Sequence, residues 1–298
     1  MKTVVMTGGT SGFGLIAVRN VMARGEFRVI LGTRGTEIDG AEMFPLDLTS
    51  LESVRQFADV VIDLIGDTQI DALVMNAGIL SPDIDHRSCD GFEITFAVNH
   101  LAHYLLARLL LPYIARGGVM MLTTSGTHDP AEKAGFPIPA HANADWLAHP
   151  EQASNPIPHP ENRYAYASSK LCEILTARAL MQQPDVIERE IMPIAFCPGQ
   201  TPGTGLVRDM ALPLRLGWKL LGGPLRFLVP TLSDRNKVGA ALADLATGEI
   251  APGAGAYYAA FRSGKVMWKL PSLLAQDDSV RDQLWIDSAR LVSWGGSH

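Results

Sequence analysis

Thr7-Gly8-Gly9-Thr10-Ser11-Gly12-Phe13-Gly14 stands directly after Lys2 to Met6, an apolar run of the right length for one buried strand. Beyond it Leu15, Val18, Val21 and Met22 recur at three- and four-residue spacing, which predicts a helix from Phe13 to Arg24. Gly8, Gly12 and Gly14 let the backbone come close to a ligand. The helix that opens there offers unpaired N–H groups and the positive end of its dipole. A glycine cluster alone is no more than a tight turn. Between a strand and a helix it is where a dinucleotide's pyrophosphate binds, with Thr10, Ser11 and Phe13 in the same turn.

The same rhythm continues outward. Phe27 to Leu31 and Glu42 to Leu46 read as strands and Ser50 to Leu64 as an amphipathic helix. Asp71 to Met75 is a strand stopped by Asn76-Ala77-Gly78, and a long helix from Phe92 to Ala115 leads to a strand from Gly118 to Leu122. Helix returns at Tyr164 to Met181, strand at Ile191 to Cys197, and helix at Ser233 to Ala246. A strand near Tyr257 and a helix from Val280 to Val292 end the chain. Strands alternating with helices imply βαβ units. The expected fold class is α/β: one doubly wound, Rossmann-type parallel sheet flanked by helices, a single domain over residues 1–298 with ligands at the strands' carboxyl ends.

Two stretches break the rhythm. Residues 126–162 hold seven prolines and no period, a proline-rich insert of a length that is usually functional. Residues 201–232 mix large apolar side chains with Gly and Pro, and are expected to form a C-terminal lid over the substrate.

The 298 residues are 47% hydrophobic and 19% charged, enough for a large core. A formal charge of −6 argues against tracking a polyphosphate, so no nucleic-acid partner is expected. Cys89, Cys172 and Cys197 form no spacing motif and fit a reducing compartment. The N-terminal apolar run is too short for a signal sequence, and no apolar run approaches 18 residues. A cytoplasmic protein without a membrane span is expected. His100 and His103, three apart, have no evident third ligand, and no metal site is expected.

The end of the second strand decides between nucleotides. A site for NAD wants an acidic side chain there for the ribose hydroxyls. This chain has Gly32-Thr33-Arg34, and an arginine fork matches a 2′-phosphate, so Thr33 and Arg34 point to NADP(H). Farther along, Tyr166 and Lys170 lie about 40° apart around a helix and share a face, whereas Tyr164 lies about 240° from Lys170. An ammonium beside a phenol favours the phenolate, which would make Tyr166 an acid/base near neutral pH. A Tyr-x-x-x-Lys pair alone is common on helices.

Taken together, the glycine turn, Asn76-Ala77-Gly78, Tyr166-x-x-x-Lys170 and Pro198-Gly199 resemble the short-chain dehydrogenase/reductase family in order and spacing, over nearly the whole chain. The branch that looks most similar contains retinol dehydrogenases and light-dependent protochlorophyllide reductases. The pointers are Asn99-His100-Leu101-Ala102-His103-Tyr104-Leu105-Leu106, the long insert, and Leu284-Trp285 with Ser288 and Leu291. The resemblance implies that Tyr166 exchanges the proton with the substrate oxygen, Lys170 lowers its pKa and holds the nicotinamide ribose, and Ser125 positions the carbonyl. It implies that Asn99 holds a water joined to Lys170, that Asp47-Leu48 borders the adenine, and that Asn76-Ala77-Gly78 lines the cofactor. The family's Pro-Gly-x-x-x-Thr has Gly203 at its threonine position here, so Thr201 or Thr204 reaches the carboxamide. Gln200 stands where the photoenzymes carry a cysteine. The two long helices are where members of the family form homodimers.

The expected activity is NADP(H)-dependent interconversion of a carbonyl and an alcohol on a bulky hydrophobic substrate, the crowded apolar residues of the lid arguing for its size. The alternatives are reduction of a carbon–carbon double bond with the same cofactor, or a nucleotide-sensing regulator without turnover. The regulator would not need Asn99, Ser125, Tyr166 and Lys170 together.

Overall fold

A computed structural model describes residues 1–35, 37–152, 161–201 and 233–294. Among them the chain runs through β1 (Lys2–Thr7), α1 (Gly12–Met22), β2 (Phe27–Thr33), β3 (Glu42–Pro45), α2 (Leu51–Ile65) and β4 (Ile70–Met75). The helical stretch α3 (Ile94–Tyr113) leads straight into β5 (Ile114–Thr123). Then follow α4 (Ala144–Ala148), α5 (Asn162–Leu180), α6 (Pro184–Glu188), β6 (Met192–Cys197), α7 (Arg235–Ala246), β7 (Tyr258–Arg262), β8 (Lys265–Trp268), α8 (Leu273–Gln276) and α9 (Asp278–Leu291).

The strands form one eight-stranded sheet in the order β3-β2-β1-β4-β5-β6-β7-β8. Every pairing is parallel except β7 with β8. The order reverses direction between β1 and β4, and that switch opens a crevice at the carboxyl ends of both strands. Alternation along the strands divides the core. Val4, Met6, Val29 and Leu31 face α1 and α7, while Val5, Ile30, Leu73 and Met75 face α2, α3 and α5. Strands buried on both faces read as continuous apolar runs, as β1 and β2 do.

The expected helix from Phe92 to Ala115 is shorter at both ends, and it is not regular. Ile114 and Ala115 fit the helical period but belong to β5, where pairing of Ile114 with Ile70 outweighs local preference. Within α3 the turn Ala97–Leu101 is π-helical. This is the one helical stretch among the described residues long and apolar enough to cross a membrane, and it is buried inside the molecule. Its apolarity is that of a core helix.

Of the two long helices on which a homodimer face is expected, α5 is covered within the chain. In α5 only Asn162, Arg163 and Arg178 escape burial, because α3, α8 and α9 pack around it. The residues singled out near the C-terminus make that docking. Ser288 Oγ lies 2.8 Å from His100 Nε2, Tyr104 donates its hydroxyl to the Trp285 carbonyl at 2.8 Å, and Arg108 lies over the rings of Trp285 and Trp294. Of the proline-rich insert, 126–152 and 161–162 are described, with one short helix, α4. The lid expected at 201–232 lies outside the described residues apart from Thr201.

Candidate active site

The glycine turn closes onto the end of β4. Gly8 has φ +67°, and a Cβ there would lie 2.6 Å from the Ala77 nitrogen. A Cβ on Gly14 would lie 2.1 Å from the Gly8 carbonyl oxygen. The backbone passes itself so closely that only hydrogen fits. Asn76 Nδ2 donates to that same Gly8 carbonyl at 2.9 Å, and Asn76 and Ala77 N–H both donate to Thr7 Oγ1 at 3.1 Å. Helix α1 then starts with its first-turn N–H groups uncapped. Its N-cap Ser11 makes no side-chain capping bond, and no acid stands in the first turn. Together with Thr10, Gly12 and Phe13 this is a cradle for an anion.

Thr33 ends β2, and Arg34 follows it exposed and without an ion pair among the described residues. Leu46 N–H donates to the Thr33 carbonyl, which brings Asp47-Leu48 beside them. There Asp47 Oδ1 accepts from Thr49 N–H at 3.0 Å, and Leu48 packs against the core. At the end of β6, Pro198-Gly199 turns the chain so that Thr201 Oγ1 reaches the carbonyls of Pro198 and Gly199 at 3.3 and 3.4 Å. Thr204 lies outside the described residues.

Ser125, Asn99, Tyr166 and Lys170 come from three separate segments and meet at the carboxyl ends of β4 and β5. Asn99, on the π-helical turn of α3, accepts from Ile79 N–H at 2.8 Å. Its Nδ2 donates to the Ile79 carbonyl and to Ser169 Oγ, both at 2.9 Å. It thereby locks the chain after Gly78 to α5. Lys170 Nζ donates to the Thr123 carbonyl at 2.9 Å and stands close to Gly78, where an added Cβ would be 3.3 Å away. The Ser125 hydroxyl faces the Tyr166 phenol in an interaction that favours the phenolate. Tyr164 points elsewhere, as its place on the helix requires: its hydroxyl accepts from Ala140 N–H in the insert. Phe136, also from the insert, lies 5.6 Å from the Tyr166 ring and forms an apolar wall beside it.

The electrostatics correct one expectation. Lys170 does not dominate the Tyr166 phenol. Burial pushes its pKa above the ordinary tyrosine value, and the Glu173 carboxyl pushes the same way. Burial is the larger cause, and beside it stands a partner that the Tyr-x-x-x-Lys spacing does not include: Glu173 Oε1 lies 3.1 Å from Lys170 Nζ, and both side chains are buried. A signal was present, since an acid three residues from Lys170 shares its helix face and interrupts an otherwise apolar run. Burial raises the Glu173 pKa to about 8 against the pull of Lys170.

Thr7 and His103 were also not anticipated as site residues. Thr7 Oγ1 accepts two N–H bonds, so its own proton goes to His103 Nε2, 3.0 Å away. The His103 proton is therefore on Nδ1, which donates to the Asn99 carbonyl at 3.1 Å. Burial holds this imidazole neutral, with its pKa pulled down to about 3. His100 and His103 thus serve packing and tethering. Among the described residues no group of three or more His, Cys, Asp and Glu side chains converges as a metal site would.

Residues 2–133 match the family model described as short chain dehydrogenase. The chain is similar to the chloroplastic protochlorophyllide reductase of Chlamydomonas reinhardtii, at 29% identity over 98% of this chain and 78% of the relative. It is equally similar to retinol dehydrogenase 13 of Mus musculus, at 29% identity over 100% of this chain and 85% of the relative. Among solved structures, NADPH-bound carbonyl reductase from chicken fatty liver shares the fold. The TM-score is 0.59 at 17% identity, covering 90% of this chain and 94% of that one.

Proposed function

We propose that this chain, similar over residues 2–133 to the short chain dehydrogenase family model and along nearly its whole length to two oxidoreductases, is an NADP(H)-dependent short-chain dehydrogenase/reductase that interconverts a carbonyl and an alcohol on a bulky hydrophobic substrate. The observation that carries this reading is the meeting of Ser125, Tyr166 and Lys170 beside the 76–78 loop, which Thr7 and Asn76 tie to the glycine turn.

The residues fit the cofactor. The uncapped first turn of α1 and the close-packed glycines Gly8, Gly12 and Gly14 suit a pyrophosphate, with Thr10, Ser11 and Phe13 around it. Thr33 and Arg34 suit a 2′-phosphate, and Asp47-Leu48 the adenine. Asn76-Ala77-Gly78, Pro198-Gly199 and Thr201 or Thr204 border the nicotinamide end. When bound, NADP(H) supplies or accepts the hydride. The Tyr166 phenol gives its proton to the carbonyl oxygen in reduction and takes one from the alcohol in oxidation. Ser125 donates a hydrogen bond to the same oxygen. Lys170 holds the ribose, and Asn99 keeps Ile79 and α5 in register around it. Phe136 gives the opening an apolar wall that keeps water from the reacting atoms. The relatives' named substrates, retinol and protochlorophyllide, are large and hydrophobic, which supports the same class here.

The test is NADPH oxidation with a panel of polycyclic, prenyl-like and aryl ketones and aldehydes, matching enones, and small polar carbonyls, with products identified. Turnover of large hydrophobic carbonyls to alcohols is expected. Saturated ketones from the enones would shift the reading to double-bond reduction. Turnover confined to small polar carbonyls would overturn the substrate class.

Arg34 provides the cofactor prediction. Losing a charge-assisted phosphate contact costs about 1.5–3 kcal/mol, so Arg34→Ala should weaken NADPH binding roughly ten- to a hundredfold. NADH binding should hardly change. Fluorescence titration of both cofactors decides it, and equal affinity for the two in the unmodified protein would refute the assignment.

A further inference from the structure

The acid buried at the centre of the site is unexplained by the roles above. Glu173 has 0% exposure, its Oε1 is taken by Lys170 at 3.1 Å, and its Oε2 is buried without a hydrogen-bond partner. An ionised carboxylate in such a place is costly unless the pairing is complete, and here one oxygen has nothing to accept from. Lys170 already spends another N–H on the Thr123 carbonyl.

We infer that Glu173 is a positioning residue for the proposed reaction: it grips the Lys170 ammonium and, by holding or releasing one proton, sets how readily Tyr166 ionises and hence the pH range in which each direction runs. This inference rests on the reading of Tyr166 as the acid/base.

Apart from this pair, the charges nearby belong to the cluster of Arg262, Glu132 and Lys269, which pair with one another. On α5 the Cys172 thiol is pushed up by burial and by Glu173, so it stays protonated. On α3 His103 is neutral, and so is His100, which Ser288 engages. Tyr104 on the same helix is pushed up to about 12 by burial and is bonded to Trp285. At the end of β6 Cys197 lies against the Arg262 guanidinium, which in turn pairs with Glu132. Tyr258 on β7 is raised by burial and stays protonated beside Cys197.

The sign follows from the charges. Below a pH of about 8 Glu173 carries no charge to oppose that of Lys170, whose Nζ lies 5.5 Å from the centre of the Tyr166 ring. Above it, the carboxylate offsets that charge and holds the phenolic proton on Tyr166. Glu173 thus extends carbonyl reduction to higher pH and delays alcohol oxidation.

Glu173→Gln keeps an oxygen for Lys170 and removes the charge. With NADPH and 2-naphthaldehyde, and with NADP and 2-naphthylmethanol, both pH profiles should move down by about one unit. The same shift should appear without any substrate, in the ultraviolet titration of Tyr166, isolated in wild type and in Glu173→Gln alike by subtracting the matching protein that carries Tyr166→Phe. Thermal melting across pH checks that the variant folds. If it does not, Glu173→Asp, which retracts the carboxylate, should shift the titration in the same direction. A Tyr166 titration identical in wild type and variant would overturn the inference. Absence of turnover with an intact titration shift would instead overturn the proposed function.

Discussion

Tyr166→Phe should lower the rate of carbonyl reduction by about 10²–10⁴-fold, the usual contribution of a general acid. Affinity for NADPH should hardly move. The ring keeps its place against Phe136 and within α5, and only the hydroxyl that faces Ser125 is lost. Tyr164→Phe is the matched control. It deletes one hydrogen bond, the 3.2 Å contact from Ala140 N–H, and should cost about 1 kcal/mol of stability with little effect on rate. Steady-state rates and melting curves for both variants are the measurement. Were Tyr164→Phe the damaging change, the assignment of the acid would be wrong.

Gly14→Ala should disable the cofactor turn. Its Cβ would fall 2.1 Å from the Gly8 carbonyl oxygen and 2.8 Å from Asn76 Nδ2. The first obstacle is backbone and cannot rotate away, so α1 and the turn must separate. Overpacking of this kind costs roughly 1–3 kcal/mol, and here it falls on the cradle for the pyrophosphate. NADPH affinity should drop by about five- to a hundredfold, with a melting temperature lower by several degrees. Gly253→Ala meets nothing within 4 Å and should behave as wild type in both measurements. Unchanged NADPH binding in Gly14→Ala would show that the turn does not hold the cofactor.

The alternation of short apolar runs with amphipathic stretches was readable because each element's period is a local property. So was the Tyr166–Lys170 face, since helix geometry places residues four apart together wherever the helix sits. The glycine turn was legible for the same reason: close backbone approach leaves only glycine as a choice. Where the reading went astray, a distant partner intervened. Ile114 and Ala115 fit a helix until pairing of Ile114 with Ile70 of β4 starts the strand there, and β8 has no signal apart from its pairing with β7.

The site shows the same division. Arg34 and the four residues Asn99, Ser125, Tyr166 and Lys170 could be named from motif order. That Lys170 is held by Thr123 and Glu173, and that burial rather than Lys170 governs the Tyr166 phenol, could not. A pKa depends on the medium and charges around the group, and these are assembled from β5, β6, α3 and α5 only when the chain folds. By itself the sequence determined the periodicities, the turn and the residues carried to the sheet's carboxyl edge, because those follow from neighbours along the chain. Tertiary structure alone decided which of those side chains lose their water and which find partners, and so which of them can hold a proton.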